Sequence, residues 1–375
     1  MLRFERTDTS PLGRWWWTVD RWTLAAVLLL MGLGILLVLA ASPAVAHQHN
    51  WSSFYFAKKH LIFLAPTVFV LVATSLLSLK QIKTAGVIVF GGAVLLLIAT
   101  PFVGIEIKGA QRWIDLGGFS IQPSEFVKPA FAIVSAWMFS QKDDDPTFPG
   151  NLVSIGLYLL VVGLLLIQPD LGMTVLITAM WLCQFFLAGL PVFWIILGGA
   201  SGVGGLVGAY FMFPHVSRRI DRFLEPSDGA DKYGDRYQIN QSLEAFSNGG
   251  FLGQGPGEGI VKRHLPDAHA DFIFAVAAEE FGMILCLILV VIFGLIVIRS
   301  FSRIFTEHNL FVVLAVTGLI VQFGLQAIIN MASTLSLMPT KGMTLPFISY
   351  GGSSMLALAF GMGMILALTR RRISE

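Results

Sequence analysis

Charged residues are scarce in this chain. Of its 375 residues only 13% are Asp, Glu, Lys or Arg, and 55% are hydrophobic, whereas a soluble domain carries about 25% charged residues. Apolar runs of about 20 residues recur along the whole chain and exclude an ordinary water-soluble fold. With 25 basic against 23 acidic residues, the net charge of +2 gives no reason to expect nucleic-acid binding.

Cysteine is also scarce. The two cysteines, Cys183 and Cys286, both lie inside apolar runs, so neither a disulfide framework nor a thiolate metal cluster is expected. No internal repeat, low-complexity segment or linker divides the sequence. We therefore predict one integral membrane domain, residues 1–375.

The apolar runs predict an all-α polytopic membrane protein with about ten transmembrane helices. The predicted spans are 22–44, 60–79, 84–103, 125–140, 152–168, 172–189, 192–213, 272–298, 310–333 and 352–369. These spans form a core at 22–369. Outside or between them lie an N-terminal segment at 1–21, a large outer loop at 214–271 between spans 7 and 8, and a tail at 370–375.

Lysine and arginine set the orientation, because short cytoplasmic loops carry more of them than outer loops do. The side that bears both termini has 12, and the opposite side has 13, of which seven lie in the 214–271 connection. Long connections cross largely regardless of charge, and without those seven the comparison is 12 against 6. Both termini are predicted to be cytoplasmic, so the outer surface carries an excess of cations that suggests a function.

The connection after span 3 combines an aromatic segment with a charged helix start. It contains Arg112, and Glu125 and Lys128 follow at an i, i+3 spacing that places them on one helix face. Ser124 is a candidate N-cap for that helix. Taken alone, this segment fits an interfacial aromatic belt with a self-satisfying ion pair equally well. Asp170, before span 6, is most simply a helix cap.

The long outer connection ends in a glycine-rich, basic segment. Its glycines, with Lys262 and Arg263, can present backbone N–H groups and cations to a phosphate, whereas no strand precedes it as a nucleotide-binding loop requires. His269 and Asp271 lie where this segment enters span 8. A carboxylate at the edge of the hydrocarbon region suits a general base, although helix capping also accounts for Asp271 on local grounds.

Two acidic residues lie deeper in span 8. Glu279 and Glu280 are about two turns inside the helix, where an unpaired charge costs several kcal/mol, so at least one is expected to face a polar cavity or a cation. The last outer connection holds Lys341, Ser349 and Ser353 in non-helical backbone, which a membrane tolerates only where it lines protein or water. A polar stripe on span 9 leads towards it: Gln322, Gln326 and Asn330.

Five motifs, in their order and spacing, resemble the SEDS family (shape, elongation, division and sporulation), the polytopic peptidoglycan polymerases. They occupy residues 109–114, 122–125, 168–172, 269–280 and 346–354. Thr340-Lys341-Gly342, just before the last motif, resembles the division (FtsW-type) branch more than the elongation (RodA-type) branch.

The resemblance implies a glycosyltransferase that polymerises lipid II, an undecaprenyl-diphosphate-linked disaccharide pentapeptide, into glycan strands at the outer face of the cytoplasmic membrane. Asp271 stands at the position of the family's essential loop aspartate and is the predicted catalytic base. No pattern specifies a metal site, and a divalent cation such as Mg²⁺ or Mn²⁺ stays open as a cofactor. The predicted substrate-binding residues are Arg112, Glu125, Lys128, Lys262, Arg263, His269, Glu279, Glu280, Lys341, Ser349 and Ser353.

The resemblance also implies partners and a location. The expected partners are lipid II, an undecaprenyl-linked glycan chain, a cognate class B penicillin-binding protein that supplies the transpeptidase, and other membrane proteins of the division machinery. The expected location is the inner membrane at the division septum, with the active site facing the periplasm. Three alternatives stay open: a lipid II flippase or transporter, an elongation-type polymerase, and a non-catalytic scaffold.

Overall fold

The structure of the protein is a computed structural model. It describes residues 10–48, 50–107, 110–189, 191–212, 217, 221, 235–339 and 342–370.

Helices account for nearly all of the regular structure, as predicted. In chain order they are α1 (Pro11–Thr18), α2 (Arg21–Gln48), α3 (Tyr55–Ser75), α4 (Leu79–Val103), α5 (Pro123–Asp144), α6 (Gly150–Ile167), α7 (Leu171–Leu187), α8 (Val192–Met212), α9 (Asp235–Gly249), α10 (Ile273–Ile304), α11 (Leu310–Thr334) and α12 (Gly352–Leu368). Each of the ten predicted spans coincides with one of these helices, α2 to α8 and α10 to α12. Six of them are long and apolar enough to cross a membrane by themselves, so the count of ten stays a prediction.

Several helix starts follow directly from the local sequence. Ser78 and Gln81 form a reciprocal capping box at α4, and the Asp170 side chain accepts a hydrogen bond from the Met173 backbone N–H at α7, which confirms Asp170 as a cap. Ser124 does not cap α5, as the sequence had suggested. That helix starts at Pro123, whose fixed φ and missing N–H favour the first helical position, so Ser124 lies inside the first turn.

The interior of the bundle is built around α5, α11 and α12. Almost every residue of α12 is buried, and this helix packs against α3 and α5, while α11 packs against α5, α7 and α10. Close approach depends on small residues, since lipid tails offer no hydrophobic drive for helices to associate. At Gly34 of α2, a Cβ atom would lie 2.5 Å from the backbone oxygen of Phe347. The helix therefore packs directly on the backbone of the loop before α12.

A small antiparallel sheet, which the sequence did not predict, follows α4. Its strands are β1 (Ile105–Ile107), β2 (Ala110–Asp115) and β3 (Ser120–Ile121), in the order β1-β2-β3. It carries Arg112 on its central strand.

A second unpredicted feature interrupts α10. Gly282 has φ of 76° and ψ of −178°, outside the helical region, and the backbone of 249–255 inserts beside it. The N–H groups of Gln254 and Gly255 donate to the backbone oxygens of Glu279 and Glu280, and the N–H of Met283 donates to the backbone oxygen of Gly250. The inserted segment thus satisfies backbone groups that the broken helix leaves open, and it ties α9 to α10.

Candidate active site

Asp271 lies at the end of the outer loop, just before α10. The helix begins at Ile273 and its N-cap residue is Phe272, which makes no side-chain capping bond, so capping does not explain Asp271. The residue is half-buried, and its backbone oxygen accepts a hydrogen bond of 2.9 Å from Asn330 Nδ2 of α11. Asp271 therefore lies in the segment just before the helix, and Asn330 holds its backbone there.

The loop 342–351 lies beside Asp271. Asn330 Nδ2 also donates to the Met343 oxygen at 2.6 Å, so one amide joins the two loops. A Cβ built at Gly342, which has φ of 64°, would lie 3.7 Å from Asp271 Oδ2. The backbone at Gly342 therefore passes next to the Asp271 carboxylate.

Ser349 also joins the segment before Asp271 to the loop 342–351. Its hydroxyl donates to the Ala270 oxygen at 2.6 Å and accepts from the Leu345 N–H at 2.8 Å, and the side chain is buried. The neighbouring Tyr350 N–H donates to the His269 oxygen at 2.9 Å. Both bonds tie the chain on either side of Asp271 to the loop before α12.

Three aromatic rings pack together next to Asp271. The ring of His269 lies 3.9 Å from that of Phe56 and 5.3 Å from that of Tyr350, measured between centroids. Burial raises the pKa of Tyr350 to about 12, so its hydroxyl stays neutral at physiological pH. These three rings border the segment that carries Asp271, and Tyr350 contributes no charge there.

Glu125 and Lys128 form an ion pair beneath the loop, with 2.8 Å between Lys128 Nζ and Glu125 Oε2, and neither side chain is more than 5% exposed. Lys128 Nζ also donates to Gln326 Oε1 at 2.9 Å, and Gln326 Nε2 donates to the Thr344 oxygen at 3.0 Å. The predicted i, i+3 pair thus exists, and it is joined through the polar stripe of α11 to the loop beside Asp271.

Arg112 fastens the sheet to the loop between α6 and α7. Its Nε and Nη2 atoms donate to the backbone oxygens of Gln168 and Pro169 at 3.1 and 2.6 Å. Asp170 is 3.9 Å from Arg112 Nε. Burial raises the pKa of Asp170 above its usual value, and the Arg112 charge opposes that rise. The guanidinium has five donors and the side chain is 25% exposed, so Arg112 retains capacity for an anion.

Ser353 connects the sheet to α12. Its hydroxyl accepts from the Gln122 N–H and donates to the Ser120 oxygen, both at 3.2 Å. The residues of the second and fifth motifs are thereby brought together, although they lie more than 200 positions apart in the sequence.

Lys262, Glu279 and Glu280 form a separate buried cluster. Glu279 accepts hydrogen bonds from the backbone N–H groups of Ile260, Val261 and Lys262 at 2.7, 2.7 and 2.9 Å. Glu280 pairs with Lys262 Nζ, which also donates to the Ala40 oxygen at 3.0 Å. The expectation that one of these glutamates faces a cation is confirmed. The structure joins them to the loop and to α2.

A crevice of about 720 Å³ lies between α2, the 51–54 segment and this cluster. Leu36, Leu39 and Pro43 of α2 form its apolar side, and Lys262 and Arg263 line its outer end. Arg263 is exposed. The crevice thus runs from the apolar part of α2 to the basic residues Lys262 and Arg263.

Most of the residues predicted for the site therefore fall into two groups. One surrounds Asp271 and includes His269, Ser349 and, through α11, Lys128 with Glu125. The other contains Lys262, Glu279 and Glu280. Lys341 lies outside the described residues, and its role stays a prediction from the sequence.

Sequence reasoning named Asn330 as part of the polar stripe on span 9 that leads to the last outer connection. It did not single out Thr344, to which Gln326 of the same stripe donates a hydrogen bond. Asn248, whose amide donates to Glu279, was also missed. Within the described residues, no group of three or more His, Cys, Asp or Glu side chains could hold a metal ion. No step of the chemistry is assigned to a divalent cation.

Comparison with known proteins identifies relatives over almost the whole chain. The family model FTSW_RODA_SPOVE, described as "Cell cycle protein", matches residues 21–373. A protein of Caulobacter vibrioides named "Probable peptidoglycan glycosyltransferase FtsW" is 45% identical over 370 residues, which are 98% of this chain and 94% of the relative. A protein of Coxiella burnetii with the same name is 35% identical, over 94% of this chain and 96% of the relative.

Two solved structures share the fold. One, from a study of how a peptidoglycan synthase complex coordinates polymerisation and crosslinking, aligns with a TM-score of 0.76 and 26% identity over 94% of this chain and 97% of that chain. The rod shape determining protein RodA of Thermus thermophilus aligns with a TM-score of 0.66 and 25% identity, over 96% of this chain and 99% of that chain.

Proposed function

The chain belongs to the SEDS family of cell-cycle proteins, and on that premise we propose that it polymerises lipid II with Asp271 as the catalytic base. It is a multi-pass membrane protein and a peptidoglycan glycosyltransferase of the division type, since its curated relatives carry that name over more than nine-tenths of its length. The proposal concerns the residues and the direction of the chemistry.

The position of Asp271 carries the proposal. It is a half-buried carboxylate that does not cap a helix, and two side chains, Asn330 and Ser349, hold the backbone around it. A general base has to be placed within hydrogen-bond reach of the hydroxyl that it deprotonates. The bonds that hold the backbone at Ala270 and Asp271 support this role.

The reaction needs one base. As the 4-hydroxyl of the acceptor attacks the anomeric carbon of the lipid-linked donor, its proton passes to the Asp271 carboxylate. The bond from the anomeric carbon to the glycosidic oxygen forms, the bond from that carbon to the diphosphate breaks, and undecaprenyl diphosphate leaves with the electron pair. A single displacement of this kind inverts the anomeric centre.

The leaving diphosphate gains negative charge as its bond breaks, and fixed cations stabilise such charge in the transition state. Arg112 is the described cation that suits this task, because its side chain is partly exposed and its orientation is set by the Gln168 and Pro169 oxygens. Lys341 is proposed for the same task on its sequence position, one residue before Gly342, which lies beside Asp271.

The crevice beside α2 is proposed to receive a lipid-linked substrate from the membrane. Its apolar side suits a prenyl chain, and Arg263 at its outer end suits a phosphate. The 51–54 segment that lines it continues into Phe56, whose ring contacts His269 two residues before Asp271. A head group that enters this crevice would therefore approach Asp271.

Polymerisation in detergent distinguishes this function from transport, which has no meaning without two compartments. Purified protein with its partner is expected to form glycan strands from lipid II, whereas Asp271→Asn forms none and remains folded. An Asp271→Asn protein that polymerises at the wild-type rate would refute the base assignment. If the wild-type protein moves lipid II across vesicles and forms no polymer, a flippase is the better description.

A crosslinking partner is also proposed. The solved relative described above comes from a complex in which polymerisation and crosslinking are coordinated, and a class B penicillin-binding protein would supply crosslinking here. Septal location, a periplasm-facing site and contact with other division proteins belong to the same proposal. Co-purification from division-stage cells tests the partner, and full polymerase activity of an Asp271→Asn complex would instead favour a scaffold.

A further inference from the structure

The end of α10 that is remote from Asp271 carries a basic cavity. With 32 residues, the helix would place this end roughly 45 Å from the proposed base. The cavity, of about 520 Å³, lies between the start of α2 and the end of α10 and is lined by Asp20, Arg21, Arg299 and Arg303 among others. Three arginines against one aspartate leave two positive charges in excess.

The ion pairs within the cavity show which arginines are engaged. Arg299 donates to both Asp20 oxygens at 2.7 to 2.9 Å, and Arg303 Nη2 is 3.5 Å from Asp20 Oδ1. Arg21 is exposed, and its guanidinium carbon lies 5.9 and 5.6 Å from the ring centroids of Trp16 and Trp17. Asp20 thus neutralises one guanidinium, and Arg21 keeps its charge at the cavity mouth.

An apolar groove continues from this cavity along α10. It has a volume of about 620 Å³, shares Trp22 and Arg299 with the basic cavity, and is lined along the helix by Val291, Gly294, Leu295, Ile298 and Ser302. Positions 291, 295, 298 and 302 repeat at helical spacing and so lie on one face over about 16 Å. Val291, Leu295 and Ile298 are 64%, 45% and 71% exposed, so within the described residues no other helix covers this face.

From the charge and the shape together, we propose that the cavity and groove form a binding site for an anionic phospholipid of the leaflet on the side of the chain termini, predicted to be cytoplasmic. The phosphate lies between Arg21 and Arg303, and one acyl chain follows the groove from Trp22 to Val291. Basic pockets between transmembrane helices on the cytoplasmic side bind anionic head groups. Loop arginines that only set orientation would not need an apolar groove continuous with them.

Gly294 provides a steric test of the groove. A Cβ atom at this position would meet no protein atom within 4 Å, so Gly294→Leu fills the groove without a clash in the protein. Gly156 of α6 is equally open and exposed, and Gly156→Leu is the matched control. Arg21→Gln removes the cation that has no acidic partner among the described contacts. Lys80→Gln, an exposed cation on the same side of the membrane, is its matched control.

The experiment is native mass spectrometry of the full-length protein in micelles titrated with phosphatidylglycerol or phosphatidylcholine. The wild type is expected to retain phosphatidylglycerol preferentially. Arg21→Gln should weaken the tightest phosphatidylglycerol site about fivefold, the contribution of one cation near an anionic lipid, and leave phosphatidylcholine binding unchanged. Gly294→Leu should weaken binding of both lipids, and the two controls should change neither.

Three results would overturn the proposal. Equal losses in Arg21→Gln and Lys80→Gln would mean that general surface charge, not this cavity, attracts the lipid. Displacement by inorganic phosphate would mean an anion site without a lipid. If Gly294→Leu left lipid binding intact and reduced retention of a partner protein, the groove would be a helix-docking face. Because Asp271 is at the other end of α10, none of these outcomes depends on the polymerase assignment.

Discussion

Two carboxylates at the outer end of α10 differ sharply, although Asp271 and Glu279 are only eight positions apart in the sequence. Glu279 is fully buried, and three backbone N–H groups bind it. Asp271 is half-buried in the segment before α10, where Asn330 binds its backbone oxygen and Ser349 binds the backbone oxygen of Ala270. A buried carboxylate bound by three backbone N–H groups stabilises the loop that carries those groups, whereas a general base has to lie within reach of the hydroxyl that it deprotonates.

The largest expected effect is on activity at Asp271. Asp271→Asn should lower polymerisation by about 10⁴-fold, the upper range for loss of a general base, while the thermal midpoint stays at the wild-type value. Asp271→Glu, which keeps the carboxylate but moves it by one methylene, should retain part of the activity. Polymer length and yield from lipid II measure both. Equal activity of the Asn and Glu variants would remove the distinction between the two carboxylates.

The next effect is on stability, in the cluster around Glu279. Lys262→Met leaves Glu280 buried without its cation, and breaking a buried pair in this way costs about 3–5 kcal/mol. The thermal midpoint in detergent should fall accordingly. Adding Glu280→Leu should restore most of the loss, since an apolar pair of similar volume carries no charge penalty. If the double variant is as unstable as the single one, the pair is not the source of the effect.

A smaller loss of stability is expected for Glu279→Gln. The amide keeps one acceptor oxygen but turns an NH₂ group towards backbone donors, so the variant should lose about 2 kcal/mol. Activity per folded molecule should stay within about threefold of the wild type, because Glu279 belongs to the separate cluster with Lys262. A loss of turnover as large as that of Asp271→Asn, with the midpoint unchanged, would reverse the roles of the two carboxylates.

The smallest effect is expected at Ser349. Ser349→Ala removes the hydroxyl that bridges Leu345 and Ala270, which leaves buried backbone groups unsatisfied at a cost of about 1 kcal/mol. Because this bond positions the residue before Asp271, turnover should fall more than KM changes. Ser140→Ala, which removes a bond only to the preceding turn of its own helix, is the control. Similar turnover in the two variants would show that the Asp271 loop does not need this bond.

The ten helices were predictable because most of them carry their own signal, an apolar run long enough to cross the hydrocarbon region whatever the neighbouring segments do. The ends agree to within five residues except at α10, which continues six residues past its predicted end, to Ile304. There Arg299 is paired with Asp20, 279 positions away. The extension depends on a contact between remote segments, which the hydropathy pattern does not contain.

The candidate site was likewise only partly predictable from the sequence. The acidic and basic residues could be identified one by one, and the i, i+3 spacing predicted the Glu125–Lys128 pair. The sheet at 105–121, helix α9 and the break at Gly282 were not predicted. The strands are only two to six residues long, and the break depends on backbone hydrogen bonds with residues 250–255, about 30 positions away. Phe347, buried with φ of 61°, is a position where packing holds a conformation that the residue alone disfavours.

The amino-acid sequence alone determined the membrane architecture, the predicted orientation and the identity of the residues able to do chemistry, since hydrophobicity, charge and motif spacing are local properties. Only the tertiary structure decided how deeply each carboxylate is buried and which remote groups bind the chain around it. Burial and hydrogen-bond saturation depend on groups from remote segments: Glu279 is bound by backbone from 260–262, and the loop of Asp271 by α11 and the segment before α12. The folded chain therefore distinguishes two acidic residues that hydropathy and spacing alone do not.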